Sequence, residues 1–149
     1  MFGLTLLAVA FVYAGCCSPQ ERAQPARPEK VDGWKDSYFS GVHSVGEFVL
    51  SKGESIEKGQ LGIKVIDIIP PKPCSEGYAA EPKVVLTFYR PSDGKVVCEA
   101  TFAPGGTVLG EGPPYPYCTS EIGLSAIYVN AINTKDNWAW FDLRKKASP

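Results

Sequence analysis

The chain has 149 residues, 44% of them hydrophobic, which is room for one domain with extensions and a sizeable core. A net charge of −1 and a pI near 5.8 provide no broad positive field to neutralise phosphates, which argues against a nucleic-acid partner. Thirteen prolines and fifteen glycines point to many turns and short strands rather than long helices.

Residues 1–15, MFGLTLLAVAFVYAG, carry no charged side chain and are apolar almost throughout. That length fits the apolar region of a signal peptide and falls short of the ~20 residues of a spanning helix. No lysine or arginine precedes the run. It ends at Tyr13-Ala14-Gly15-Cys16, which resembles the lipobox of bacterial lipoproteins, where Ala or Ser followed by Gly precedes a cysteine that is lipidated and becomes the mature N-terminus. Ala14, Gly15 and Cys16 match the pattern; Tyr13 stands where the family has Leu or another aliphatic. The resemblance covers the export segment alone. It implies that residues 1–15 are removed, that Cys16 is lipidated, and that the protein is held on a membrane facing the periplasm or the cell exterior. A plain secreted protein, with Cys16 and Cys17 incidental, is the alternative.

Residues 16–30 read as a flexible tether, because SPQERAQPARPEK (18–30) is rich in Pro, Ala and Gln and has too little apolar surface to fold. Residues 31–46, VDGWKDSYFSGVHSVG, hold neither helical nor strand periodicity for long. Trp34, Tyr38 and Phe39 are too apolar for a free linker, so this piece is expected to pack on the domain, as a short helix or an edge strand. His43, the only histidine, reads as a surface or half-buried structural residue, since no serine or cysteine motif accompanies it.

The β domain is read over residues 47–149. In GIKVIDII (62–69), Ile63 and Val65 share one face while Ile66 and Ile68 share the other. That pattern fits either a strand covered on both sides or a bulge near Asp67 that switches faces. Pro70 and Pro71 end it. The central hairpin joins 84–89 to 95–102 through Arg90-Pro91-Ser92-Asp93-Gly94, where Pro91 presets φ and Gly94 accepts the positive φ that closes the turn. Val84, Leu86 and Phe88 face one way on its first strand, and Val96, Cys98, Ala100 and Phe102 on its second. Residues 107–109 form a short strand, and 122–131 with 137–143 a second hairpin. Six or seven strands in about a hundred residues predict a single antiparallel β-sandwich of immunoglobulin-like type, with a small β-barrel as the alternative. The Cys-Trp-Cys spacing of an antibody domain is absent, so the prediction concerns architecture and not family.

Beyond Cys16 and Cys17 there remain Cys74, Cys98 and Cys118, an odd number in a compartment where disulfides persist. Cys98 points with Ala100 and Phe102 into the expected core as a buried free thiol. Cys74 and Cys118 lie in similar proline-rich loops, so a Cys74–Cys118 bridge is expected, worth roughly 4 kcal/mol in the chain-entropy model. No CxxC pair accompanies the one histidine, so no metal site is expected, nor any cofactor.

No Gly-rich phosphate loop, HExxH or GxSxG motif occurs, and the dispersed acids, Glu54 and Glu57 among them, read as solvated. The chain is therefore read as non-enzymatic. Tyr115 and Tyr117 stand on the proline-held loop GEGPPYPY, and rigid aromatics suit partner surfaces. Trp138 and Trp140, two apart, share one face of the closing strand. Opposite them, Ala139, Phe141 and Leu143 face the core. The tryptophans must then be covered, with residues 31–46 as the candidate cover, or else form a binding face. Two functions follow from these features. One is a lipid-anchored envelope domain with a structural or protein-interaction role, contacting an envelope protein or wall polymer; the other is an accessory domain that binds a wall polysaccharide through exposed aromatics. Exposure of both tryptophans would favour the second, and their burial the first.

Overall fold

The computed structural model describes residues 23–39, 42–72, 81–109 and 123–145, and every regular element among them is a strand. In chain order these are β1 (Gly33–Phe39), β2 (Val42–Ser51), β3 (Ser55–Lys58), β4 (Leu61–Ile69), β5 (Lys83–Tyr89), β6 (Val96–Phe102), β7 (Gly105–Val108), β8 (Ala126–Asn133) and β9 (Trp138–Lys145). They form two antiparallel sheets, ordered β1-β2-β9-β8-β7 and β3-β4-β5-β6. The result is the expected all-β sandwich, open and not closed into a barrel. Chain passes between the sheets only at the β2–β3 and β6–β7 connections, and the last strand, β9, lies beside β2.

The central hairpin forms as its turn residues dictate. Gly94 has φ +68°, its N–H donates to Arg90 O at 2.8 Å, and Arg90 N–H donates to Lys95 O at 2.9 Å. Asp93 accepts the Lys95 N–H at 3.1 Å and lies 3.5 Å from the Arg90 guanidinium. Val84, Leu86 and Phe88 are fully buried and meet Phe102 and Cys98 across the pair.

Bulges decide which apolar residues reach the core. On β4, Val65 pairs with Leu86 and Asp67 with Val85, so Ile66 is the extra residue. Ile63, Val65 and Ile68 therefore all face inward while Ile66 is 38% exposed, and of the two readings of this strand the bulge is the one that holds. On β6, Cys98 pairs with Phe88 and Val96 with Tyr89, which leaves Val97 unpaired. Val96 is consequently 54% exposed and does not join Cys98, Ala100 and Phe102, as strict alternation predicted. On β8 the extra residue is Asn130, so Ile127, Val129 and Ile132 share the inner face.

Residues 31–46 pack on the domain, and of the two expected forms they take the strand: β1 is an edge strand, while the remainder opens β2, an inner strand between β1 and β9. With β3, these strands bring the number to nine among the described residues. Register shifts between Trp34 and Ser37 and between Ser44 and Gly46 erase the period-2 signal. Gly46 has no Cβ because the Phe48 ring occupies its place, at 2.4 Å from where that atom would be. Trp34 meets the same ring edge-on, with centroids 4.8 Å apart.

Two further features correct or complete the reading. Cys98 is buried as expected but is disulfide-bonded, not a free thiol. Its strand, β6, is outermost in its sheet. The described residues hold no second cysteine; Cys74 and Cys118 lie outside them. At the β2–β3 crossing, Gly53 N–H donates to Val65 O at 2.8 Å and Val65 N–H to Glu54 O at 3.0 Å. Lys52 Nζ lies 2.7 Å from the carboxylate of Asp67, which also accepts the Ile68 N–H, and the two hydrogen bonds hold the Asp67 carboxyl below its ordinary range.

Two outcomes are expected. Non-reducing peptide mapping should recover Cys98 in a cross-linked peptide, whereas an alkylated Cys98 from unreduced protein would restore the free-thiol reading. The depressed Asp67 titration stabilises the fold above the carboxylate range, and that contribution is lost as pH falls through the folded-state value. Urea unfolding of wild type and Asp67→Asn should therefore differ at neutral pH and converge in acid.

Candidate functional site

Alternation on β9 sets Trp138, Trp140, Asp142 and Arg144 on the face opposite Ala139, Phe141 and Leu143, which are fully buried. Register brings the outward residues beside Ser51, Val49, Glu47 and Ser44 of β2, and beside Asn133, Ala131, Tyr128 and Ala126 of β8. The outer face of the five-stranded sheet is thus built from three adjacent strands.

Two hydrogen-bonded sets occupy it. In the first, the Trp140 Nε1–H donates to Glu47 Oε1 at 2.7 Å, and Lys35 Nζ donates to Glu47 Oε2 at 3.3 Å and Asp32 Oδ2 at 3.2 Å. Burial pulls the Lys35 pKa down, but the bonds to Asp32 and Glu47 outweigh it and the value is raised. In the second, the Ser44 hydroxyl donates to Asp142 Oδ1 at 2.5 Å and Arg144 Nε–H to Asp142 Oδ2 at 3.0 Å. The Arg144 guanidinium lies over the Tyr128 ring, 3.6 Å from its centroid. Tyr128 in turn covers Gly106 of β7, where a Cβ would come within 2.6 Å of the ring. Rings and charges are held in place before any partner arrives.

Trp138 is different. It is 2% exposed although it points outward. Its two cross-strand neighbours are each tied to the N-terminal segment. Arg27 donates to Ser51 Oγ at 3.3 Å, Asn133 Nδ2–H donates to Pro25 O at 3.0 Å, and Thr134 N–H donates to Gln24 Oε1 at 3.0 Å. Residues 24–27 are thereby bonded to both strands that flank Trp138, and we read them as its cover; residues 31–46, the expected cover, are instead strands of the same sheet. A proline-rich piece suits the task, since Pro25 has no N–H to leave unpaired against the sheet.

Of the other residues singled out, His43 is 3% exposed, more buried than expected; its Nε2 bonds Asp36 and its ring stacks on Tyr38 with centroids 4.4 Å apart. Cys16, Cys74, Tyr115, Tyr117 and Cys118 lie outside the described residues. The structure does not bring Trp138 and Trp140 together as an open pair. Tyr128, Arg144, Glu47 and Lys35 were not singled out by sequence reasoning. The same-face spacing that paired the tryptophans also places Asp142 and Arg144 beside them, whereas Glu47 and Tyr128 depend on register.

Two open clefts flank this face at opposite ends of the sandwich. One, of about 300 Å³, is bordered by Gln24, Pro25, Pro71, Pro82, Pro104 and Thr134. The other, of about 510 Å³, is bordered by Trp34, Lys58, Leu61, Leu124 and Lys145. Among the described residues no three His, Cys, Asp or Glu side chains gather as a metal site, and no helix is long and apolar enough to cross a membrane. Comparison with models of protein families, with curated proteins and with solved structures finds no match.

Removing residues 18–28 should expose the Trp138 indole. The expected result is a red shift of tryptophan emission and a stability loss of roughly 2 kcal/mol, the scale of one large apolar side chain returned to water. Unchanged emission would mean that another segment covers Trp138.

Proposed function

We propose that this chain is a non-enzymatic, lipid-anchored domain of the cell envelope that acts by contact with another envelope protein. Two features support the reading. The anchor rests on the apolar run that ends in Ala14-Gly15-Cys16. The contact rests on the outer face of the five-stranded sheet, where Tyr128 is 37% exposed beneath a stacked Arg144 guanidinium and beside a half-buried Trp140. Tyr, Trp and Arg are the residues most enriched where binding energy concentrates. Their positions are already fixed by Asp142, Glu47 and Gly106, so little side-chain entropy remains to be lost on association. The reading involves neither cofactor nor metal.

A wall polysaccharide would ask for two rings open side by side. Trp138 is buried and the Trp140 indole N–H is engaged by Glu47, which favours the protein-contact reading.

In living cells, a photo-crosslinking amino acid at Ala131, next to Trp140, is expected to give a discrete protein adduct. Arg144→Ala with Tyr128→Ala should reduce it at least tenfold, since residues of this kind carry about 2 kcal/mol or more in an interface. Lys135→Ala, on the β8–β9 turn, should leave it unchanged. Adducts insensitive to the double substitution would exclude this face, and retention on purified wall polymer would return the carbohydrate reading. Mass spectrometry should find a diacylglyceryl group on Cys16; a mature chain starting elsewhere removes the anchor.

A further inference from the structure

We propose that one end of the sandwich, the end formed by the β8–β9 turn, lies against the bilayer surface because residues 24–27 strap the chain there. The inference rests on the Cys16 anchor proposed above and adds to it an orientation.

The strap is placed by three hydrogen bonds on three elements. Gln24 Oε1 accepts the Thr134 N–H in the β8–β9 turn, Pro25 O accepts from Asn133 at the end of β8, and Arg27 reaches Ser51 at the end of β2. All three contacts lie at the end of the sheet where β9 begins with the buried Trp138. Farther along, the chain enters β1 at Gly33, opposite Glu47. Among the described residues, the contact nearest in sequence to the anchor is therefore that of Gln24 at the β8–β9 turn.

Eight residue steps separate Gln24 from Cys16, since 24 − 16 = 8. At 3.3–3.6 Å per residue they reach at most about 28 Å. A tether free up to Gly33 would have 33 − 16 = 17 steps and a reach of about 60 Å, enough for any orientation. The ten residues of β2, nine steps of about 3.3 Å, span about 30 Å before the turns at either end are added. For the far end to rest on the membrane, the eight steps would have to be drawn out fully along the length of the domain and still fall short. The far end carries the Arg90–Lys95 turn and the β3–β4 turn at Gly59.

Charge does not compete with this geometry. The anchored end offers Arg27, Lys52, Lys72, Lys83 and Lys135 against Glu54, Asp67, Glu81 and Asp136, a near balance of charge. Anionic headgroups neither draw in this end strongly nor repel it. With the strands then running away from the bilayer, the Tyr128–Arg144 face looks sideways, toward a neighbour held on the same membrane.

The test uses the full chain in native membrane vesicles doped with an acceptor-labelled phosphatidylethanolamine. A fluorescent amino acid is placed at Lys135 in one variant and at Ser92, in the β5–β6 turn, in another. Energy transfer to the headgroup acceptor should be at least twofold greater from position 135. Inserting twenty Gly/Ser residues after Cys17 should abolish the difference while the protein stays membrane-bound. Equal transfer from both positions, or greater transfer from 92, in a membrane-bound protein overturns the orientation and leaves the anchor standing. A protein absent from the vesicles overturns the anchor and the orientation with it.

Discussion

The two-sidedness of β9 is the constraint on which the rest of the structure depends. Its inner residues Ala139, Phe141 and Leu143 have no exposure at all, and they meet Phe48 and Leu50 from β2 and Ile127, Val129 and Ile132 from β8. Each large apolar side chain removed from water is worth roughly 1.5–3 kcal/mol. A one-residue slip would turn all of them outward and bring Trp138, Trp140, Asp142 and Arg144 into the core. The register is therefore fixed by the core. The outer face inherits its geometry: Glu47 stands beside Asp142 and within reach of the Trp140 indole because Phe48 must stand beside Phe141.

Bulges make that core compatible with a sequence that is not cleanly alternating. Ile66, Val97 and Asn130 are each the unpaired residue of a shift in register, and each lets apolar side chains three apart, or skips one, on the core face. An extra residue also increases local twist, which two packed sheets need. The glycines act alongside them. Tyr128 lies over Gly106 and Tyr89 over Gly62, so a ring from the neighbouring strand covers backbone that has no side chain of its own. Tyr89 is further held by its O–H to Glu57 at 2.6 Å, and that bond raises the Tyr89 pKa.

The N-terminal segment closes the outer face. Trp138 stands on the outer side of β9 yet is 2% exposed, and the two residues beside it, Ser51 and Asn133, both bond residues 24–27. The strap brings little apolar surface itself but supplies polar groups that match the ends of β2 and β8: a carbonyl for Asn133, an amide oxygen for Thr134 and a guanidinium for Ser51.

By itself the sequence determined the all-β class, the sandwich, the central turn and the inward faces of β5 and β9. These depend on local chemistry: Gly94 takes the positive φ, Pro91 sets the turn, and period-2 alternation is visible wherever no bulge interrupts it. The bulge near Asp67 was legible as one of two readings, because two adjacent faces of isoleucine demanded an explanation. Only tertiary structure decided the rest. Residues 31–46 took the strand form of the two expected because β2 pairs with β9 and β1 with β2, despite a broken pattern. Val96 turned outward because pairing with Tyr89 skips Val97. Cys98 is bonded and not free, which the side-chain pattern of its strand cannot reveal. The Tyr128–Arg144 contact and the strap over Trp138 join residues 16 and more than 100 positions apart, and no local propensity carries information over such a distance; it is the register of the folded sheets that brings them together.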